Sequence, residues 1–256
     1  MDTPLDIIQI TDLHIAHPPR KLPDSSLTTK DSLEVVLQTI ARDEDPAFML
    51  CTGDLANHPD PIAYRHIHEI VGVDGCPVYC LPGNHDDPLM AQEAATLQPS
   101  RLEWCRVITR GNWVIIMLDS HVEGRIDGRL AATELAFLEQ TLTAHPDHHA
   151  LICLHHHPEP MQSRWLDNHI LKNATEFYLV TDKHPQLRAI LWGHVHQAWS
   201  GQRGQVQLHA TPSTCFQFLP RSDDFAFDQR PPAYRRIRLH SDGNFTSSVN
   251  FCELTL

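Results

Sequence analysis

The sequence predicts an α/β chain folded as an α-β-β-α sandwich, in which two mixed sheets pack face to face with helices outside. Three observations predict it. Short apolar runs alternate with polar loops and amphipathic stretches through the first ninety residues, as β-α-β units with a parallel sheet do. A hairpin in the middle, around Arg110-Gly111-Asn112, breaks that rhythm and starts a second series. The last sixty or so residues are then rich in strand candidates.

In order, the first strand runs from Asp6 to Thr11, where Ile7, Ile8 and Ile10 lead into Asp12-Leu13-His14. A polar, proline-bearing loop from His17 to about Lys30 precedes a helix that Asp31 or Thr29 could cap and that reaches Arg42. Its apolar stripe is Leu33, Val36, Leu37 and Ile40. Ala47–Cys51 is a short buried strand ending at Thr52-Gly53-Asp54, and a helix follows near Ile62–Val71. After Pro77 the run Val78-Tyr79-Cys80-Leu81 feeds Gly83-Asn84-His85-Asp86. Cys105–Thr109 and Trp113–Leu118 form the hairpin, and a helix at Ala132–Ala144 leads to the strand Ala150–Leu154, which stops at His155-His156-His157-Pro158. A helix near Ala174–Thr181 precedes the strand Leu187–Trp192, which stops at Gly193-His194-Val195-His196. Strand candidates at Gln205–Ala210, Tyr234–His240 and Phe245–Phe251 close the chain.

The chain of 256 residues is read as one domain, long enough to bury its own core. Residues 6–200 carry the candidate site, and 201–256 are expected to be a strand-rich part of the second sheet. A formal net charge of −12 argues against nucleic acid or an anionic membrane as partner. The basic run Arg235-Arg236-Ile237-Arg238 has the alternation of a half-exposed strand. Seven cysteines, odd in number, scattered and without a C-x-x-C pair, read as reduced, mostly buried thiols. The opening Met1-Asp2-Thr3-Pro4 has no leader pattern, and no apolar run approaches the roughly 18 residues of a membrane span. A soluble, cytoplasmic protein is expected, of unspecified oligomeric state. Of nineteen histidines, His58, His66, His68, His145, His148 and His149 read as solvent-facing or loop residues.

Five polar clusters sit just after predicted strands, the place where open α/β sheets bind ligands. Asp12 and His14 are two apart, which in an extended segment puts them on one side. His194 and His196 repeat that spacing. Asp54 follows a glycine, and its two oxygens could bridge two cations. Asn84 offers a neutral oxygen, and His85 is either a ligand or a free imidazole. Of His155, His156 and His157 at least one should turn inward, since the triplet ends a buried strand. Each cluster alone also has a reading without chemistry, as a capped turn, a conformational turn or a solvated loop. Together, Asp, His and Asn donors without thiolates suit divalent Mn, Fe or Zn. Two carboxylates leave two dications with excess positive charge, which attracts a phosphate oxyanion and lowers the pKa of bound water.

The ordered series Asp12-x-His14, Gly53-Asp54, Gly83-Asn84-His85-Asp86, His156-x-Pro158, Gly193-His194-x-His196 resembles the calcineurin-like metallophosphoesterases over about residues 6–200. The stretches Leu154–Pro158, Trp165-Leu166-Asp167-Asn168-His169 and Ala210–Cys215 are most similar to the bacterial class III 3',5'-cyclic AMP phosphodiesterases. The resemblance implies a metallophosphoesterase fold and two divalent ions, one held by Asp12, His14 and His196, the other by Asn84, His156 and His194, with Asp54 between them. It implies that His85 acts on the phosphoryl group or the leaving oxygen, with Asp86 as its orienter. His14, Asp54, Asn84, His85 and His196 would also face the substrate. The pocket wall is expected among His121, Trp165, His169, Asn173 and Thr211–Gln217. The loop at His17–Lys30 departs from an Asn-Thr pair common in such relatives. The implied reaction is hydrolysis of a cyclic nucleotide to its 5'-monophosphate. A phosphodiesterase acting on linear diesters such as glycerophosphodiesters, and a non-catalytic scaffold, are the alternatives.

Overall fold

The computed structural model describes residues 4–71, 75–97 and 101–254, so that Met1–Thr3, read above for a leader, lie outside it. In chain order the elements are β1 (Leu5–Ile10), α1 (Thr29–Asp43), β2 (Met49–Thr52), α2 (Pro61–Val71), β3 (Val78–Leu81), α3 (Pro88–Leu97) and β4 (Leu102–Trp104). Then come β5 (Val107–Arg110), β6 (Trp113–Met117), α4 (Ala132–Ala144), β7 (His149–Cys153), α5 (Arg164–Asp167), α6 (Ala174–Thr181) and β8 (Leu187–Trp192). The chain closes with β9 (Trp199–Arg203), β10 (Val206–Ala210), β11 (Gln217–Phe218), β12 (Phe227–Asp228), β13 (Ala233–Leu239) and β14 (Phe245–Phe251).

One sheet has the order β14-β13-β1-β2-β3-β4, with β1 to β4 parallel. The other has the order β5-β6-β7-β8-β10-β9, with β6, β7, β8 and β10 parallel. Antiparallel partners at the margins make both sheets mixed, as expected. Alternation along each strand sorts the core into three layers. Ile7, Leu50, Leu81, Ile115, Leu151 and Leu191 pack between the sheets. Ile8, Ile10 and Cys51 pack outward with Leu33, Val36 and Ile40 of α1 and Ile67 of α2. Val114, Ile152 and Ile190 pack outward with Leu138 of α4 and Phe177 of α6. Each fully buried side chain of this kind contributes about 1.5–3 kcal/mol. Because both faces of the parallel strands are covered, the strands read as continuous apolar runs. Among the described residues no helix is long and apolar enough to cross a membrane.

Several expectations are corrected, whereas the half-exposed strand through Arg235–Arg238 and the free, mostly buried thiols are as expected. The pair β13–β14 completes the first sheet, not the second: Ile237 stands opposite Ile7 in register, and Arg238 donates to Asp6 at 2.7 and 2.8 Å. The α1 cap is Thr28, whose side chain and that of Asp31 form a reciprocal capping box worth roughly 1 kcal/mol. His68 is buried rather than solvent-facing, because it lies on the inner side of α2. Arg235 is 2 % exposed and donates to Ala210 O, Thr211 Oγ1 and Ser247 Oγ between the sheets. All seven cysteines are free thiols, five of them buried.

Candidate metal centre

The loops leaving β1, β2, β3, β7 and β8 meet where the two sheets' strand ends come together. They are tied to one another by backbone: Asp12 N donates to Gly53 O and His14 N to Asp54 O, each at 3.0 Å. Asp12, His14, Asp54, His194 and His196 all have positive φ, between 46 and 66°. The shared direction of Asp12 with His14, and of His194 with His196, therefore comes from left-handed turns and not from the extended segment assumed above. Such conformations cost of order 1 kcal/mol or more apiece and persist where the surroundings over-determine them. Gly83 and Gly193 are glycines for a different reason. A Cβ on Gly83 would strike the Asp54 carboxylate, and one on Gly193 would strike Thr11 Oγ1 and Asp12.

Two donor groups result. In the first, His14 Nε2 and His196 Nε2 are 3.2 Å apart, and His196 Nε2 is 3.3 Å from Asp12 Oδ1. In the second, His155 Nε2 lies 3.2 Å from Asn84 Oδ1, 3.3 Å from His194 Nδ1 and 3.3 Å from Asp54 Oδ1. Asp54 joins them, since its other oxygen is 3.7 Å from His14 Nε2. The Nδ1–H of His196 donates to Phe216 O at 2.7 Å and that of His155 to Thr52 O at 2.8 Å. In their neutral forms both rings therefore point an Nε2 lone pair at carboxylate or carbonyl oxygens. Acceptors facing acceptors in a buried site need a cation between them. Buried His14 Nδ1 and His194 Nε2 have no protein partner either. The residues present thus fit divalent ions.

Within the protein alone, a proton on His155 answers the same excess of acceptors that an ion would. Burial pushes the Asp54 carboxyl up, but the imidazoles of His155, His85 and His14 outweigh it and hold it well below the usual carboxylate range. Burial pushes His155 down, yet the charge and hydrogen bond of Asp54, with Asp12, carry it up to about 9. Burial, reinforced by neighbouring imidazoles, holds His14, His156 and His194 well below the ordinary histidine value.

Asp12, His14, Asp54, Asn84, His85, His194 and His196 are brought together as the sequence predicts. His156, the ligand expected from the triplet, lies with His155 and His194 in one group of nitrogens close enough to share an ion. Its Nε2 donates to Ile126 O at 3.1 Å and its Nδ1 is 2.8 Å from Ser120 Oγ, so both nitrogens are engaged away from Asp54 and Asn84. His155 is the member of the triplet whose Nε2 reaches Asn84 and Asp54. A signal for this was present: the inner-face alternation of Leu151 and Cys153 continues to His155. Asp86 is corrected. It accepts from Leu55 N, Ala56 N, Gly83 N and Tyr64 OH and makes no bond to His85. Burial and the nearby Asp54 push it up to about 6. The orienter of His85 is the backbone carbonyl of Asn57, which accepts from His85 Nδ1 at 2.8 Å and leaves the opposite ring edge to the pocket.

The pocket over the cluster has a volume of about 220 Å³. Trp165 and His169 line it as expected, whereas His121 does not, its backbone being drawn to Asp119 at 2.8 Å. Asn173 is spent on the Leu130 backbone and Thr211 on Gln9, so from the 211–217 segment only Phe216 reaches the wall. The His17–Lys30 loop contributes Arg20, whose guanidinium stacks 4.8 Å over Phe216 and donates to the Asn57 side chain. Phe218 and Phe225 also line the wall. Nothing local in the sequence marks them.

The pattern of the family described as calcineurin-like phosphoesterase matches residues 5–198. The chain is 38 % identical to the 3',5'-cyclic adenosine monophosphate phosphodiesterase CpdA of Escherichia coli, over 95 % of this chain and 88 % of that one. It is 36 % identical to the protein of the same name from Vibrio vulnificus, over 96 % and 89 %. The 3',5'-cyclic-nucleotide phosphodiesterase of a Nostoc species is 33 % identical over 96 % and 92 %. In fold the chain is similar to a dimetal phosphatase from Danio rerio, with TM-score 0.63 and 15 % identity over 93 % of this chain and 96 % of that one.

Proposed function

Because the chain belongs to the calcineurin-like phosphoesterase family, we propose that it is a metal-dependent phosphodiesterase that opens the 3'-ester of 3',5'-cyclic AMP to give the 5'-monophosphate. The observation that carries the reading is the convergence of carboxylate, carbonyl and imidazole ligand atoms from Asp12, Asp54, Asn84, His155 and His196 below the free edge of His85. Similarity over nearly the whole chain to cyclic nucleotide phosphodiesterases supports the substrate.

Asp12, His14 and His196 would hold one divalent ion, Asn84, His155 and His194 the other, and Asp54 would share its oxygens between them. Iron, manganese and zinc are the identities these donors admit. When bound, such ions supply a water ionised near neutral pH and positive charge against the phosphoryl oxygens. The rest falls to the chain. His85, whose Nδ1–H is held by Asn57 O, presents its Nε2 edge to the departing 3' oxygen and, as the imidazolium, either gives it the Nε2 proton or offsets its charge. The rings of Phe216 and Phe218, stacked on His196 at 5.1 and 4.1 Å, keep solvent from that side of the cluster. The chain acts as one domain over residues 1–256. Seven free thiols support a reducing compartment, the cytoplasm.

The test is metal analysis of the purified protein, chelation and add-back, followed by kcat/KM for cyclic AMP, cyclic GMP and a linear diester such as a glycerophosphodiester. Two ions per chain and a preference for cyclic nucleotides are expected. A metal-loaded enzyme that prefers the linear diester overturns the substrate assignment.

A further inference from the structure

Beside the acceptor cluster the pocket changes from polar to aromatic. Phe218 lies 4.1 Å from the His196 ring, nearly parallel to it at 22°. Trp165 meets Phe218 at 5.1 Å and Phe225 at 5.2 Å, edge to face in both cases. The rings come from separate additions to the sandwich, Trp165 from the short α5 and the other two from the hairpin that carries β11 and β12. Trp165 and Phe218 are only partly buried, and Phe225 is 54 % exposed at the mouth. Three large rings held half-open against a reactive cluster are placed for a planar, apolar ligand part and not for the core.

Resting on the cyclic nucleotide reading above, we propose that Trp165, Phe218 and Phe225 form the platform on which the substrate's purine stacks while its phosphoryl group lies over the acceptor cluster. The cluster can read only phosphate. The ring stacked on His196 is one ring removed from that phosphate, and continuing outward along Trp165 and Phe225 leads to solvent. A base reaching this wall meets faces and edges of carbon rings. The hydrogen-bonding groups near it are few: Arg20, already donating to the Asn57 side chain, and His169, whose ring is 6.1 Å from that of Trp165, while the Nε1–H of Trp165 is buried. The platform therefore reads the size and flatness of a base more than its edge, so adenine and guanine should bind alike.

Stacking of a base on an aromatic side chain is lost on alanine substitution at a level of about 5- to 100-fold in affinity. The experiment is equilibrium binding to the metal-loaded enzyme of adenosine 5'-monophosphate, guanosine 5'-monophosphate and ribose 5-phosphate, the last lacking a base. The unaltered protein should bind both nucleotides more tightly than ribose 5-phosphate. In Trp165→Ala and in Phe225→Ala that preference should shrink by about 5- to 100-fold, with KM for cyclic AMP rising more than kcat falls. Phe225 is exposed, so its replacement leaves the fold intact. A preference that survives both substitutions, or strong discrimination between the two purines, overturns the platform. This readout needs no turnover of cyclic AMP, so an enzyme inactive on cyclic AMP that still loses base preference in both variants would refute the substrate reading alone.

Discussion

The floor and the wall of the pocket are built on opposite principles. On the floor, donors from both sheets are buried and braced through strained turns: Asp12 accepts from His194 N at 3.0 Å, and Asp54 from His85 N at 2.9 Å. The wall is made of half-exposed rings on a four-residue helix and a two-residue-per-strand hairpin, bonded to one another mainly by ring contact. The difference teaches that the chemistry is locked to the packing of the sheets, while the choice of substrate sits on segments that can change without disturbing that packing.

The comparison can be broken most sharply on the floor. His155→Ala should remove one of two ions and take turnover to background, whereas His156→Ala should keep two. Metal content per chain in the two variants checks it, and the opposite pattern would restore His156 as the inward residue. His85→Ala should retain both ions yet lower turnover by roughly 100- to 10,000-fold. Metal analysis with kcat tests this, and a near-normal rate removes His85 from the reaction. Asp86→Ala should act on stability instead. It leaves four donors without their acceptor, a loss of about 3 kcal/mol or more, visible as a lower urea midpoint.

The smallest effect lies outside both regions. Burial, with the charge of Arg235, holds His209 down at about 3. The folded protein keeps this ring neutral, while the unfolded chain protonates it near 6.5. Between those values the unfolded state binds more protons, so the contribution of His209 to stability is present above pH 6.5 and is lost as pH falls toward 3. His209→Gln should lose less stability than the unaltered protein between pH 7 and pH 5. Parallel losses in urea melts at the two pH values would refute the role of this ring.

Much of this was legible along the chain. Periodicity placed the strands that feed the site and the helices α1, α2, α4 and α6, because burial of alternate or every third to fourth residue is written into local order. What local order lacked is also specific. Nothing in the spacing of Asp86 told that it would turn from His85 to the amides of Leu55 and Ala56, thirty residues back. Nor did the proline-rich loop announce that Arg20 would reach the pocket.

By itself the sequence determined that polar donors crowd the carboxyl ends of buried parallel strands, and that those donors suit divalent ions and phosphate. Only the tertiary structure decided that His155 and not His156 faces Asn84 and Asp54, that Asn57 O holds His85, and that rings at positions 165, 218 and 225 share one wall. The reason is physical. Apolar period and donor type are properties of neighbouring residues, whereas the direction of an imidazole at a strand end depends on the turn that follows and on the opposing sheet, which no local window contains.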